Sequence, residues 1–153
     1  MKFIVGSGKE LTEQIRDLTR KAPYYFDALR HSNIVILGLL ENGTPIAGCG
    51  IEGLHHVSHS LYVREDYQGK GIGRTTWEKT ISVARKHGFN FLTGVVPLHH
   101  DVAWHMYSKV GYKEVVCLQK YQIRYIILPF TYKGELLYTF ARLICRKLPQ
   151  SLL

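Results

Sequence analysis

The chain has 153 residues, 46% hydrophobic and 21% charged, so we expect a single globular domain over residues 1–153 with a basic amphipathic extension at about 133–153. The net charge of +8 is uneven, because the segment from Lys113 onward holds seven basic and two acidic residues. Such a chain can bind nucleic acid, an anionic membrane or an anionic ligand. The sequence has no nucleic-acid-binding motif, so we expect a protein that binds no nucleic acid. It has no apolar run of ~18 residues, which excludes a transmembrane segment. Its odd number of cysteines excludes a full disulfide framework and favours a cytoplasmic protein.

The first third of the chain predicts one strand followed by two helices. Residues Lys2–Val5 form a short apolar stretch that is typical of a strand. Between Glu10 and Arg20, apolar residues recur at spacings of three and four, which indicates one buried helical face. Pro23 ends this helix or begins the next, which continues to about Leu29.

An antiparallel meander is predicted next. Ile34–Leu40 and Pro45–Glu52 flank an Asn-Gly pair, which is the strongest short hairpin signal. Val57–Val63 reads as a third strand whose alternating residues, His59 and Leu61 among them, share one face.

The second half of the chain alternates helices and strands after a glycine-rich loop. Because Val57–Val96 is a strand–helix–strand unit, two of its strands are expected to run parallel. The fold class predicted is α/β (α+β), with a mixed, mostly antiparallel central sheet flanked by helices. The predicted helices are Arg74–His87, Asp101–Val110 and Glu135–Leu148, and the predicted strands are Phe89–Val96, Tyr112–Leu118 and Tyr121–Leu128.

The last helix carries an apolar stripe beside basic residues. We expect it to pack on this domain or on a second copy, which would make a homodimer, or else to lie on a membrane surface. The eight histidines include two clusters, but neighbouring strand residues point to opposite faces, so no metal site is expected.

The loop before the third helix has the composition of a phosphate-binding turn. In Gln68-Gly69-Lys70-Gly71-Ile72-Gly73, the glycines allow close backbone approach and unusual dihedral angles. The N–H groups at a helix start have no internal partners, and the helix dipole favours an anion there. Lys70 and Arg74 add positive charge. The alternative is a turn that only reverses the chain; the spacing matches neither the Walker nor the Rossmann fingerprint.

Two ordered motifs resemble the GNAT superfamily of N-acetyltransferases. Leu61-Tyr62-Val63 followed by Gln68, Gly71 and Gly73 resembles motif A, which reads Q/R-x-x-G-x-G/A after a strand. Downstream, Ala103, Tyr107, Gly111 and Tyr112 resemble motif B, with His100 where that motif usually has Asn. The resemblance covers roughly residues 2–118.

The resemblance implies acetyl-CoA as cosubstrate and direct attack of an amine on its thioester. The backbone of Leu61, Tyr62 and Val63 would pair with the pantetheine arm, and His100 and Ala103 would adjoin it. The N–H groups of Gln68, Gly69, Lys70, Gly71, Ile72, Gly73 and Arg74 would hold the pyrophosphate. The acyl carbonyl would sit in a gap where the strand ending at Val63 and the strand beginning near Phe89 splay apart.

Two proton transfers are then needed. Tyr107 lies where the family often places the acid for the leaving thiolate, and a phenol with a pKa near 10 is protonated at neutral pH. His59 is the first candidate for the base that deprotonates the amine, since imidazole titrates near neutrality. Glu52, acting through water, is the second.

The acceptor is a small-molecule amine or an amine of a peptide or protein, with its determinants expected around Tyr24-Tyr25-Phe26 and after Val116. A non-catalytic CoA-binding module on the same fold is the alternative function. His100 allows it, and so does Val57, which lies where many members of the family have a Glu.

Overall fold

The computed structural model describes residues 1–53, 58–147 and 149, and for residues 58–60 it describes the backbone alone. The chain folds into two compact units, residues 1–87 and residues 88–153. Predictions that concern His55, His56 and Val57, or the end of the last helix at Leu148, lie outside the described residues.

The first unit is a four-stranded antiparallel sheet with helices on both faces. Its strands lie in the order β1-β2-β3-β4, so the predicted meander is confirmed and β1 is added to it. The strands are β1 (Lys2–Gly6), β2 (Ile34–Leu39), β3 (Pro45–Ile51) and β4 (Ser58–Val63), and the helices are α1 (Thr12–Leu18), α2 (Pro23–His31) and α3 (Ile72–Lys86).

The hairpin between β2 and β3 forms where Asn-Gly predicts it. Gly43 adopts a left-handed φ of +86°, and the Leu40 N–H donates to the Thr44 carbonyl across the turn at 2.9 Å. The Asn42 side chain accepts a further bond from the Thr44 N–H at 3.1 Å. Local turn chemistry therefore sets the register of this pair.

The core of this unit lies on both faces of β3, all of whose residues are buried. A Cβ at Gly48 would meet Leu18 and Leu29, so α1 and α2 cover one face. The next residue, Cys49, hydrogen-bonds with Thr80, so α3 covers the other. Burial in this apolar layer raises the pKa of the Cys49 thiol to about 12, against a lowering contribution from Thr80.

Alkylation should therefore distinguish Cys49 from the other two thiols. The thiolate is the reactive form, and the Cys49 thiol with its pKa near 12 stays protonated at pH 9. We expect iodoacetamide to modify Cys117 and Cys145 in the native protein and Cys49 after denaturation, as read by peptide mass spectrometry. Labelling of Cys49 at the rate of Cys117 in the native state would contradict this assignment.

The second unit is a three-stranded antiparallel sheet in the order β5-β7-β6, which α5 packs against through β6 and β7. Gly134 of α5 sits against the Asn90 carbonyl, where an added Cβ would come within 2.3 Å. Lys113 and Glu135 form an ion pair at 2.8 Å. The elements are β5 (Phe91–Pro97), α4 (Asp101–Lys109), β6 (Lys113–Leu118), β7 (Ile123–Pro129) and α5 (Tyr132–Cys145).

The predicted α/β class, with mostly antiparallel strands flanked by helices, is confirmed. One detail differs: β4 and β5 belong to separate sheets, and every strand pair among the described residues is antiparallel. The expected parallel pair is therefore not part of either sheet. The single domain over residues 1–153 stays a prediction.

Candidate active site

The strand that precedes the glycine loop, β4, lies at the edge of the first sheet. Its end alternates as predicted, because Leu61 and Val63 both lie beside Gly73 at the start of α3, at 3.6 and 3.5 Å from the position of an added Cβ. Tyr62 points the other way, with its ring 4.8 Å from that of Tyr25. Partial burial raises the pKa of the Tyr62 phenol. Tyr62 therefore packs against α2, on the face of the sheet opposite to Gly73.

The pairing of β4 with β3 is irregular near His59. Gly48 pairs with Tyr62 and Gly50 pairs with His59, so β4 has one residue more than β3 between these pairs. The extra residue is a bulge in the backbone of β4, and the shared face of His59 and Leu61 stays a prediction. The side chain of His59 lies outside the described residues, and its role as base stays a prediction.

The glycine loop has the backbone geometry of an anion site. Gly69 and Gly71 adopt left-handed φ angles of +72° and +76°, which other residues rarely adopt, and no atom lies within 4 Å of an added Cβ at either. Gly71 is the N-cap of the 15-residue helix α3, and no side chain caps it. The first N–H groups of this helix thus lack both an intrahelical acceptor and a capping side chain. A helix start of this kind can bind an anionic group.

Two side chains of the loop tie it to its own backbone. The Gln68 side chain donates from Nε2 to the Val63 carbonyl at 2.9 Å, which links the glycine loop to the end of β4. Lys70 donates from Nζ to the Asp66 carbonyl at 2.8 Å, and its ammonium lies 5.2 Å from the centre of the Tyr67 ring. Together, these two bonds stabilise the conformation of the glycine loop.

Of the two predicted cations of the loop, Lys70 and Arg74, one is already paired with a carboxylate. Arg74 donates to the Glu78 carboxylate at 2.8 Å along one face of α3, and both side chains are solvent-exposed. An exposed pair of this kind contributes at most about 1 kcal/mol, so an incoming anion can replace it at small cost. Lys70 has no carboxylate partner among the described residues and keeps its charge at the loop.

Helix α4 of the second unit carries the motif B residues. His100 is its exposed N-cap residue and makes no side-chain cap, while its ring lies 4.6 Å from that of His99. Ala103 and Tyr107 are half-buried, four residues apart on one face of the helix. The Tyr107 ring lies 5.3 Å from the ring of Tyr112, which is buried.

A cluster that the sequence did not predict holds α4 to its sheet. The Arg124 guanidinium lies over the Trp104 ring at 4.4 Å and donates to the Glu114 carboxylate at 2.6 Å. Trp104 lies one helical turn before Tyr107, so this contact fixes the part of α4 that carries the phenol. No sequence signal identifies it, because the three residues come from three separate elements.

A shallow hollow between α2 and the end of β3 is rich in polar groups. It is lined by Tyr24, Asp27, Ala28, His31 and Glu52. Two carboxylates in one hollow favour a cationic ligand. It includes the predicted second candidate for the base, Glu52, and one residue of the aromatic segment predicted to select the acceptor.

The family profile described as "Acetyltransferase (GNAT) family" matches residues 8–112, which is more than half of the chain. The chain therefore belongs to the GNAT family of acetyltransferases. Within the described residues, no group of three His, Cys, Asp or Glu could hold a metal ion, and no helix is long and apolar enough to cross a membrane.

Individual relatives agree with the family. The L-amino acid N-acyltransferase MnaT of Escherichia coli (strain K12) is 31% identical over 106 residues, which are 65% of this chain and 60% of that protein. A putative N-acetyltransferase from Lactobacillus plantarum has a TM-score of 0.69 at 17% identity, over 85% of this chain and 98% of that one. The putative acetyltransferase yncA from Salmonella typhimurium, with its cofactor acetyl-CoA, has a TM-score of 0.59 at 16% identity, over 86% and 95%. These two solved structures share the fold of this chain.

Proposed function

We propose that this chain transfers an acetyl group from acetyl-CoA to a primary amine by direct attack. The observation that carries the proposal is the edge strand β4 leading into an uncapped helix start with two left-handed glycines. An edge strand can pair with an extended ligand, and such a helix start binds phosphate. A pantetheine arm joined to a pyrophosphate has both parts in that order.

Acetyl-CoA supplies the acetyl thioester, and the chain orients it. Backbone groups of Leu61 and Val63 would pair with the arm, and the N–H groups from Gln68 to Arg74 would bind the pyrophosphate. In the second unit, His100 and Ala103 would adjoin the arm, as the family resemblance implies. The amine nitrogen bonds to the carbonyl carbon, the C–S bond breaks, and the thiolate leaves without a covalent enzyme intermediate.

Two protons move in this proposal. The amine arrives as ammonium and gives one proton to a base, which is His59 or Glu52 through water. The thiolate takes one proton from the Tyr107 phenol, and the second proton that the nitrogen loses as the amide forms replaces it. The hollow that contains Glu52 and Asp27 supports a cationic acceptor, since carboxylates attract ammonium before it is deprotonated. L-amino acids are the first acceptors to screen, because the relative MnaT is named for acting on them.

The first test is thermal unfolding with acetyl-CoA beside ATP and NAD at equal concentration, followed by an assay of CoA thiol release over a panel of amines. A ligand at 100 times its Kd stabilises a protein by about 2.7 kcal/mol. We expect stabilisation by acetyl-CoA alone and turnover with at least one amine. Stabilisation without turnover on any amine would favour the alternative, a non-catalytic CoA-binding module, to which the exposed His100 in place of the usual Asn points. No stabilisation would contradict both.

The pH dependence of kcat should identify the base. Replacing the true base, by His59→Gln or Glu52→Gln, should lower kcat at neutral pH and restore it at high pH, where the amine is already deprotonated. The other variant should behave like Glu41→Gln, which removes a carboxylate from the exposed hairpin turn. Two variants that both follow the wild-type profile would contradict both assignments.

A further inference from the structure

Helix α5 is attached to its sheet by a narrow face. The inward positions are Gly134, Tyr138, Ala141 and Cys145, which are four, three and four residues apart and are buried or half-buried. Gly134 allows the helix to lie directly on the Asn90 carbonyl. The helix is therefore already anchored by Tyr138 and three small residues, and its exposed large apolar residues are not used for this packing.

Those large residues form an exposed apolar face. Leu136 and Leu143 are each 52% exposed, and Phe140 is 66% exposed. At 100° per residue they fall within one arc of the helix, opposite the packed face. The complete set, which we call the α5 apolar face, is Tyr132, Leu136, Leu137, Phe140, Leu143 and Ile144.

The charges beside the α5 apolar face have one sign. Four basic residues, Lys133, Arg142, Arg146 and Lys147, lie in or directly after α5, against Glu135 as the one acid in the helix. Glu135 is already paired with Lys113 at 2.8 Å. Lys133 falls within the arc of the apolar face and Arg142 on its flank, while Arg146 and Lys147 follow directly after the helix.

We propose that the α5 apolar face binds the surface of an anionic phospholipid bilayer, with the helix lying in the plane of the interface. Apolar side chains enter the acyl boundary while lysines and arginines reach the headgroups. Helix α5 has 14 residues and so rises about 21 Å, which suits the interface rather than the ~30 Å hydrocarbon core. A second copy fits this face less well, because two-fold pairing would bring basic residues against basic residues.

The test is cosedimentation of the full chain with vesicles of phosphatidylcholine alone or with a third phosphatidylglycerol. We expect binding to the anionic vesicles that weakens with added salt. Leu136→Ser with Phe140→Ser should weaken it by on the order of a hundredfold, since each side chain contributes its burial. Arg146→Gln with Lys147→Gln should weaken it by about 25-fold, at roughly fivefold for each basic residue near the surface.

The controls match each variant in chemistry but lie in the first unit. Val5→Ser removes another exposed apolar side chain, and Lys2→Gln with Lys9→Gln removes two other exposed charges. All variants change exposed residues, and an unchanged unfolding midpoint shows that the fold is kept. Binding that the α5 variants leave intact, or that the controls weaken equally, would overturn the proposal. A dimer without vesicles that Phe140→Ser converts to monomer would overturn it too.

Discussion

Replacing Gly71 by glutamate is expected to abolish the stabilisation of this protein by acetyl-CoA. The residue is the left-handed N-cap of α3, with φ of +76° and open space where a side chain would go. A carboxylate there would occupy the place of the pyrophosphate and repel it. The wild type should gain about 2.7 kcal/mol at 100 times Kd, or ~5–10 °C in midpoint for a chain of this size. The variant should gain nothing.

Gly43→Glu is the matched control for this prediction. Gly43 has φ of +86° and an equally open surrounding, but it lies in the β2–β3 hairpin. Both variants bear a similar backbone penalty, on the order of 1–2 kcal/mol. They should therefore unfold at similar temperatures without ligand and differ once acetyl-CoA is added. If Gly71→Glu responds to acetyl-CoA as Gly43→Glu does, the loop is a structural turn.

Removing the Tyr107 hydroxyl should reduce kcat by on the order of a hundredfold or more while leaving acetyl-CoA binding intact. Tyr107→Phe keeps the ring that packs 5.3 Å from Tyr112, so α4 should hold its place. The expected loss comes from expelling a thiolate without a proton donor. Turnover by thiol release and affinity by thermal shift measure the two effects separately.

Tyr121→Phe provides the comparison, because Tyr121 belongs to the same unit and is 55% exposed. It should keep the wild-type kcat. An unchanged kcat in Tyr107→Phe would remove the phenol from the proposed chemistry. A fall in kcat with an equal fall in acetyl-CoA affinity would instead assign Tyr107 to cofactor binding.

The sequence predicted elements well where local chemistry decides them. The Asn42-Gly43 turn and the alternation of Leu61 and Val63 need only neighbouring residues. The start of α3 was predicted at Arg74 but lies at Ile72, since Gly71 serves as the N-cap itself. Helix α5 likewise begins at Tyr132 rather than Glu135, because the Thr131 side chain accepts a bond from the Gly134 N–H.

Features that depend on residues far apart along the chain could not be predicted from the sequence. The bulge in β4 shows only in its pairing with β3. The contact of Arg124 with Trp104 and Glu114 joins β7, α4 and β6, and no spacing along the chain reveals it. The division of the strands between two sheets is likewise a property of long-range pairing.

The bond from the Gln68 side chain to the Val63 carbonyl has a thermodynamic consequence for whatever anion the loop receives. Because this bond and that from Lys70 to the Asp66 carbonyl exist within the protein alone, the turn has little conformational freedom left to lose. The conformational entropy of the loop is lost when the chain folds, so this loss does not oppose the binding of a ligand. The loop is in this sense preorganised, and affinity gained this way needs no additional contact with the ligand.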